Sequence, residues 1–174
     1  MRHGPEDVRL DGFTVDDVDD ARALWRDTGM WLRPSDGPEH IALLVERDPD
    51  LQLAARDGEG RLVGTVLGGW DGRRAYVYHL AVAPDRQRRG VATMLMDELE
   101  ERFRERGALK AKLQVLTGNE ASRAFFTARG YLVETDCEPW GKELVSGGAP
   151  PACRDPAAPE YLRVADRGGH GGRG

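Results

Sequence analysis

The strongest periodicity in the chain begins at Val91. Val91, Leu95, Leu99 and Phe103 recur at every fourth residue, with Ala92 and Met96 beside them, and predict a helix with one buried stripe. Glu98/Arg102 and Glu100/Arg104 place acid-to-base pairs on its wet face, and Gly107 ends it. Residues 74–82 carry no charge after Arg74 and read as a central strand covered on both faces. Residues 51–56 and 62–70 read as a hairpin around Asp57-Gly58-Glu59-Gly60. Gly64, Gly68 and Gly69 in its second strand point to a bulge or to the close approach of another element.

Toward the amino terminus, residues 8–10 form a short strand. Thr14 and Asp17 then open a helix whose inward positions are Val18, Ala21, Leu24 and Trp25, and Gly29 stops it. A second helix covers residues 39–47. Beyond Gly107, residues 110–116 read as a strand, Asn119 caps a helix running to Arg129, and residues 131–135 and 141–145 read as closing strands. Strands mixed with helices in this order make an α/β chain, with one domain over residues 1–145. From Ser146 onward Gly, Pro and Ala dominate, a composition too poor in apolar side chains to order itself, so residues 146–174 read as a disordered tail.

Composition narrows the functional classes. No apolar run approaches the roughly 18 residues that span a bilayer, and the first residues lack a secretory apolar core. Cys137 and Cys153 have no metal-ligand or disulfide-framework spacing, and a lone His170 among glycines is not a metal site. These features predict a cytoplasmic protein with no membrane partner and no metal. The net charge of −5 argues against a nucleic-acid partner. Four arginines against three acids put +1 on residues 146–174, so the body carries −6, a field that favours a cationic acceptor.

The candidate chemistry lies between the predicted central strand and the amphipathic helix. Pro84 ends the strand, Arg86-Gln87-Arg88-Arg89 follow, and Gly90 opens the helix. A glycine and free N–H groups at a helix N-terminus hold phosphate well, although a basic tract alone is more often a solvated loop. The loop has neither the Walker A pattern nor the Rossmann glycine pattern.

Residues 80–92, Leu-Ala-Val-Ala-Pro-Asp-Arg-Gln-Arg-Arg-Gly-Val-Ala, resemble motif A of the GNAT N-acetyltransferases, Gln/Arg-x-x-Gly-x-Gly/Ala. Asn119 through Gly130-Tyr131 resembles that family's later motif, in which an asparagine caps a helix ending in Gly-Phe/Tyr. Gly68-Gly69-Trp70-Asp71-Gly72-Arg73-Arg74 and Gly141-Lys142-Glu143-Leu144 are similar to the YpeA-like branch. The resemblance covers about residues 1–145. It implies the GNAT fold, a mostly antiparallel twisted sheet splayed at the cofactor site and flanked by about four helices. It also implies acetyl-CoA as acyl donor and a primary amine of a small molecule or peptide as acceptor. The backbone of Leu80, Ala81 and Val82 would hold the pantetheine arm. Arg88, Arg89, Gly90, Val91, Ala92 and Thr93 would cradle the pyrophosphate, and Asn119 would touch the pantetheine side. The Val82 N–H would polarise the thioester oxygen. Homodimers are common in such families, which leaves a homodimer open.

The acid and base positions depart from the family pattern. The tyrosine that protonates the leaving thiolate in many relatives is Phe126 here, and the glutamate used as base by some is Gln114. Tyr76 and Tyr78 share one strand face and become the catalytic candidates, with Tyr78 first. Imidazole is a better-matched base than phenol, but strict alternation points His79 to the opposite face, where it reads as a core histidine. Glu46 and Glu134 are carboxylates to which no spacing points. Trp31 and Arg33, in the loop between the first two helices, and Asp71, in the turn before the central strand, are expected on the acceptor side. Trp31 and Leu32 have a second reading as a cover for the core. The missing groups also motivate an alternative function, an acyl-CoA sensor with little turnover.

Overall fold

The computed structural model describes residues 7–142 and 144. Five strands form one sheet in the order β1 (Val8–Gly12), β2 (Gln52–Asp57), β3 (Leu62–Trp70), β4 (Ala75–Val82) and β5 (Ala111–Lys112). The first four pair antiparallel and β4 pairs parallel with β5. Four helices flank the sheet: α1 (Val18–Asp27), α2 (Pro38–Arg47), α3 (Val91–Glu105) and α4 (Glu120–Ala128).

The two faces of the sheet can be read from β3. A Cβ built on Gly64 would meet Val91 and Leu95, and one on Gly68 would lie 2.7 Å from Leu99, so these glycines admit α3 to one face. Thr65, Leu67 and Gly69 point to the other face, where Trp25 of α1 is fully buried and its Nε1–H donates to Thr65 Oγ1 at 2.9 Å. The predicted α3 stripe of Val91, Leu95, Leu99 and Phe103 is buried against the first face. Each of those side chains contributes about 1.5–3 kcal/mol by leaving water. The predicted Glu98–Arg102 and Glu100–Arg104 pairs both form on its exposed side. Arg129 ties α4 to α3 through Asp97 at 2.8 Å and Glu100 at 3.0 Å.

Four expectations are corrected. β4 is not covered on both faces: Ala75 and Val77 are buried, but Tyr78 is exposed. The strand expected over residues 110–116 is reduced to Ala111–Lys112. It pairs with β4 only at Ala75–Ala111 and Tyr76–Lys112, and past that point the two strands part. Residues 131–135 form no strand. Leu132 and Val133 are exposed, and Glu134 holds the segment to β5 through its side chain, with ion pairs to Lys110 and Lys112 in place of a backbone ladder. Of the last expected strand, residues 141, 142 and 144 are irregular, while 143 and 145 lie outside the described residues, as does the segment 146–174.

Candidate functional site

The parting of β4 and β5 leaves backbone groups without a strand partner. Ala83 N–H donates to Val63 O of β3 at 2.8 Å. Because backbone groups alternate along an antiparallel strand, the groups of Val82 face the gap. Gln87 Nε2 meets the Val82 carbonyl there at 3.1 Å, and the Val82 N–H points to the same side.

The gap leads to the loop before α3. Arg88 (φ 60°) and Gly90 (φ 89°) are both left-handed, with one residue between them. Alternation of this kind turns successive N–H groups inward into an anion-binding nest. The first N–H groups of α3, a helix of 15 residues, add unsatisfied donors and the positive end of the dipole. Arg88 and Arg89 are exposed and form no ion pair with any described residue. Arg86 is committed elsewhere: its guanidinium pairs with Asp7, Asp57 and Asp85 and fixes the start of the loop. Asn119 caps α4, its Oδ1 accepting from Ser122 N–H at 3.0 Å. Phe126, where the family pattern has its proton donor, packs edge-on against Phe125 and Tyr131.

The opposite side of β4 carries the acceptor candidates. The rings of Tyr76 and Tyr78 stack with centroids 6.0 Å apart. A Cβ on Gly69 would touch the Tyr78 ring at 3.2 Å, which puts Tyr78 on the α1 face. Burial, and then Tyr76, push the Tyr78 phenol above its ordinary value, so it is protonated at neutral pH.

His79 does not point where alternation sends it. Thr65 is opposite Ala81 and Leu67 is opposite Tyr78, so Val66 alone faces two residues, His79 and Leu80. This is a β-bulge, and His79 occupies it with φ 50°. The extra residue turns the His79 ring onto the same face as Tyr78, where it lies 4.2 Å from the Trp25 ring. Thr65 Oγ1, which accepts from Trp25, donates in turn to His79 O at 2.9 Å and locks the bulge. Non-glycine residues in the left-handed region cost about 1–3 kcal/mol.

Asp36 completes the arrangement. It sits in the 3₁₀ turn Pro34–Asp36, is 8 % exposed, and accepts from Arg33 N–H at 2.5 Å. Its Oδ1 lies 3.2 Å from His79 Nε2. Burial pushes the Asp36 carboxyl up, but the hydrogen bonds from His79 and Arg33 N–H outweigh it and hold the group below its ordinary value. Asp36 is therefore a carboxylate at neutral pH, and His79 Nε2 carries the proton between them. The other ring nitrogen, Nδ1, is buried with no hydrogen-bond partner, a cost of about 1–3 kcal/mol. Asp36, His79 and Tyr78 line a cavity of about 290 Å³ with Ser35, His40, Ile41 and Leu44.

Of the other acceptor candidates, none lines this cavity. Leu32 packs on the core, Trp31 is half-buried, and Arg33 exposes its side chain. The Asp71 carboxylate accepts from Arg74 and Arg73 N–H at 2.5 and 2.8 Å and closes its own turn. Hydrogen bonds from Arg74 N–H first, and from Arg73 N–H, hold it below its ordinary value. Sequence reasoning missed Asp36 and His40 and misplaced His79. Asp36 had only a weak signal, an acid after Pro34-Ser35 where a turn is capped. The bulge had none in β4 itself. Among the described residues no three His, Cys, Asp or Glu side chains converge on a metal site.

Comparison with known proteins agrees with this geometry. Residues 14–131 match the acetyltransferase (GNAT) family. An acetyltransferase of Pectobacterium atrosepticum is 38 % identical over 134 residues, covering 76 % of this chain and 93 % of the relative. One of Sodalis glossinidius is 35 % identical over the same span and coverage. In structure, the PaiA N-acetyltransferase of Thermoplasma acidophilum, solved with coenzyme A, has a TM-score of 0.65 at 18 % identity, over 73 % of this chain and 91 % of that one. The ribosomal-protein-S18-alanine N-acetyltransferase of Escherichia coli has a TM-score of 0.59 at 18 % identity, over 71 % and 76 % of the two chains, and shares the fold. With the splayed sheet, the left-handed loop and the sequence match in agreement, the chain belongs to the GNAT family of acetyltransferases.

Proposed function

We propose that this acetyltransferase moves the acetyl group of acetyl-CoA to a primary amine of a small molecule or peptide, by direct attack in a ternary complex. The observation that carries the reading is the continuity of the gap beside Val82 with the nest at Arg88 and Gly90, ahead of α3. A linear thioester with a diphosphate at one end fits such a path. In this reading the backbone of Leu80, Ala81 and Val82 holds the pantetheine arm, and the Val82 N–H stabilises the developing oxyanion. Arg88, Arg89 and the N–H groups of Gly90 through Thr93 hold the pyrophosphate, with Asn119 on the pantetheine side. Tyr78 protonates the leaving thiolate and Tyr76 steadies its ring. Trp31, Arg33 and Asp71 stay the candidates for the acceptor side, although none of them lines the cavity. The net charge of −6 on residues 1–145 supports a cationic acceptor.

Names of relatives support the amine but not its identity: one structural neighbour is a ribosomal-protein-alanine N-acetyltransferase, and another is the NatC complex bound to a peptide and CoA. A sensor with little turnover is the less supported reading, because the relatives are named as acetyltransferases. We keep the YpeA-like assignment on residues 68–74, and residues 1–145 as the catalytic domain. No helix among the described residues is long and apolar enough to cross a membrane, and a cytoplasmic location is part of the same proposal.

The test is calorimetry with acetyl-CoA, followed by thiol release over a panel of amines, polyamines and N-terminal peptides. Saturable binding and amine-dependent release are expected. Absence of any binding heat at millimolar acetyl-CoA would sink the reading.

A further inference from the structure

The bulge in β4 decides which backbone groups face the gap as well as where His79 points. Ala75 N–H donates to Lys110 O, on the β5 side of the strand, at 3.3 Å. Strict alternation from there would turn every odd-numbered N–H of β4 toward β5 and the gap, and would spend the Val82 N–H on β3. The observed order is the reverse, because Ala83 N–H donates to Val63 O of β3. The extra residue opposite Val66 supplies that reversal. We infer that Thr65 is a positioning residue for acetyl transfer: it holds the His79 carbonyl, and through it the bulge that turns the Val82 N–H into the gap. Resting on the proposed acetylation, in which that N–H stabilises the oxyanion, this role adds the group that keeps the donor aimed.

The surroundings of Thr65 suit it to the task. It lies in the middle of β3 and is fully buried. Its Oγ1 accepts from Trp25 Nε1–H at 2.9 Å. Indole nitrogen only donates, so the single hydroxyl proton is left for the His79 carbonyl, also at 2.9 Å. His79 is left-handed there, and a non-glycine residue keeps such a backbone only where its surroundings over-determine it. The side chain gives a second anchor: the ring lies against Trp25, and Nε2 is 3.2 Å from Asp36 Oδ1. Nε2 is thus spent on Asp36 and Nδ1 is buried, so the ring anchors the bulge and passes no proton. Trp25 joins both anchors, since it donates to Thr65 and packs on His79. Valine has nearly the shape of threonine and suits a strand, so packing alone does not call for the hydroxyl.

The decisive comparison is Thr65→Val against Thr65→Ser. With an amine that the native protein acetylates, and below the melting temperature of each variant, Thr65→Val should lower kcat about 10- to 10³-fold. The upper end is the loss expected when one oxyanion donor is removed. KM for acetyl-CoA should hold, because the N–H acts on charge that exists only in the transition state. Thr65→Ser keeps the hydroxyl and should recover most of the rate. A residue that served only the fold would lower Tm and leave kcat of the folded variant near native. A kcat loss under about tenfold in folded Thr65→Val, a loss carried by KM alone, or one that Thr65→Ser shares in full overturns the inference and leaves amine acetylation standing. If the native protein acetylates no amine in the panel, both readings fall together. Amide hydrogen exchange on the native protein gives a check that needs no variant to fold. Val82 N–H should exchange fast beside a protected Ala83, and the opposite order overturns the assignment.

Discussion

Gly90 offers the sharpest separation between a structural cost and a functional one. Its φ of 89° is left-handed, yet a Cβ built there would meet nothing within 4 Å. Gly90→Ala therefore introduces backbone strain and no clash. The left-handed penalty is about 1–2 kcal/mol, offset in part by the lower entropy of the unfolded Ala chain, about 0.4–1 kcal/mol. A net loss of about 1 kcal/mol should lower Tm by roughly 2–4 °C for a protein of this size. Gly90→Glu carries the same strain and adds a negative charge to the nest. At about 6 Å from a phosphate charge, with an effective dielectric between about 20 and 80, the repulsion is about 0.7–2.8 kcal/mol. The Ala-to-Glu difference should thus weaken acetyl-CoA binding about 3- to 100-fold by calorimetry, and the effect should shrink with added salt. Equal Kd for the two variants at low salt would refute the phosphate cradle. Unchanged Tm in Gly90→Ala would refute the strain argument.

Four further outcomes follow from the same geometry. Tyr78→Phe removes an exposed phenol with no hydrogen-bond partner among the described residues, so Tm should hold while thiol release slows about 10²-fold or more. Phe126→Tyr should change that rate less than tenfold, because in the proposed reading Tyr78 supplies the proton; a gain of about 10²-fold would show that the donor was missing. Gly68→Ala forces a methyl to 2.7 Å from Leu99 and 3.0 Å from the Leu51 backbone, and overpacking there should cost about 1–3 kcal/mol in urea melts. Asp36 has a folded value held below 3.8, so its ionised form stabilises the fold above that value and loses the contribution as pH falls through the lower folded value. The gap in stability between the native protein and Asp36→Asn should therefore close as melts are taken from pH 5 toward pH 2.

The helices and the antiparallel strands were legible because each buries one face, and burial writes a period into the sequence. The i+4 spacing from Val91 to Phe103 and the Asp57–Gly60 turn needed no tertiary information. The left-handed loop ahead of α3, the proposed phosphate cradle, was legible for a related reason: it is built from backbone, and a glycine opening a helix marks it locally. The carboxy-terminal strands failed because a strand is defined by its partner. Residues 110–116 alternate and residues 131–133 are an apolar run, but β5 leaves β4 after two pairs and Glu134 makes its tie by side-chain charge. The face on which Tyr78 and His79 meet was decided by register. One extra residue opposite Val66 reverses the direction of every side chain that strict alternation assigns past Tyr78, and Thr65 and Trp25 fix that register across the sheet. The sequence by itself determined the family, the glycine that opens α3 and the shared face of Tyr76 and Tyr78. Only the tertiary structure brought His79 against Asp36 and beside Tyr78, because a bulge is a relation between two strands and its position is fixed only when they pair.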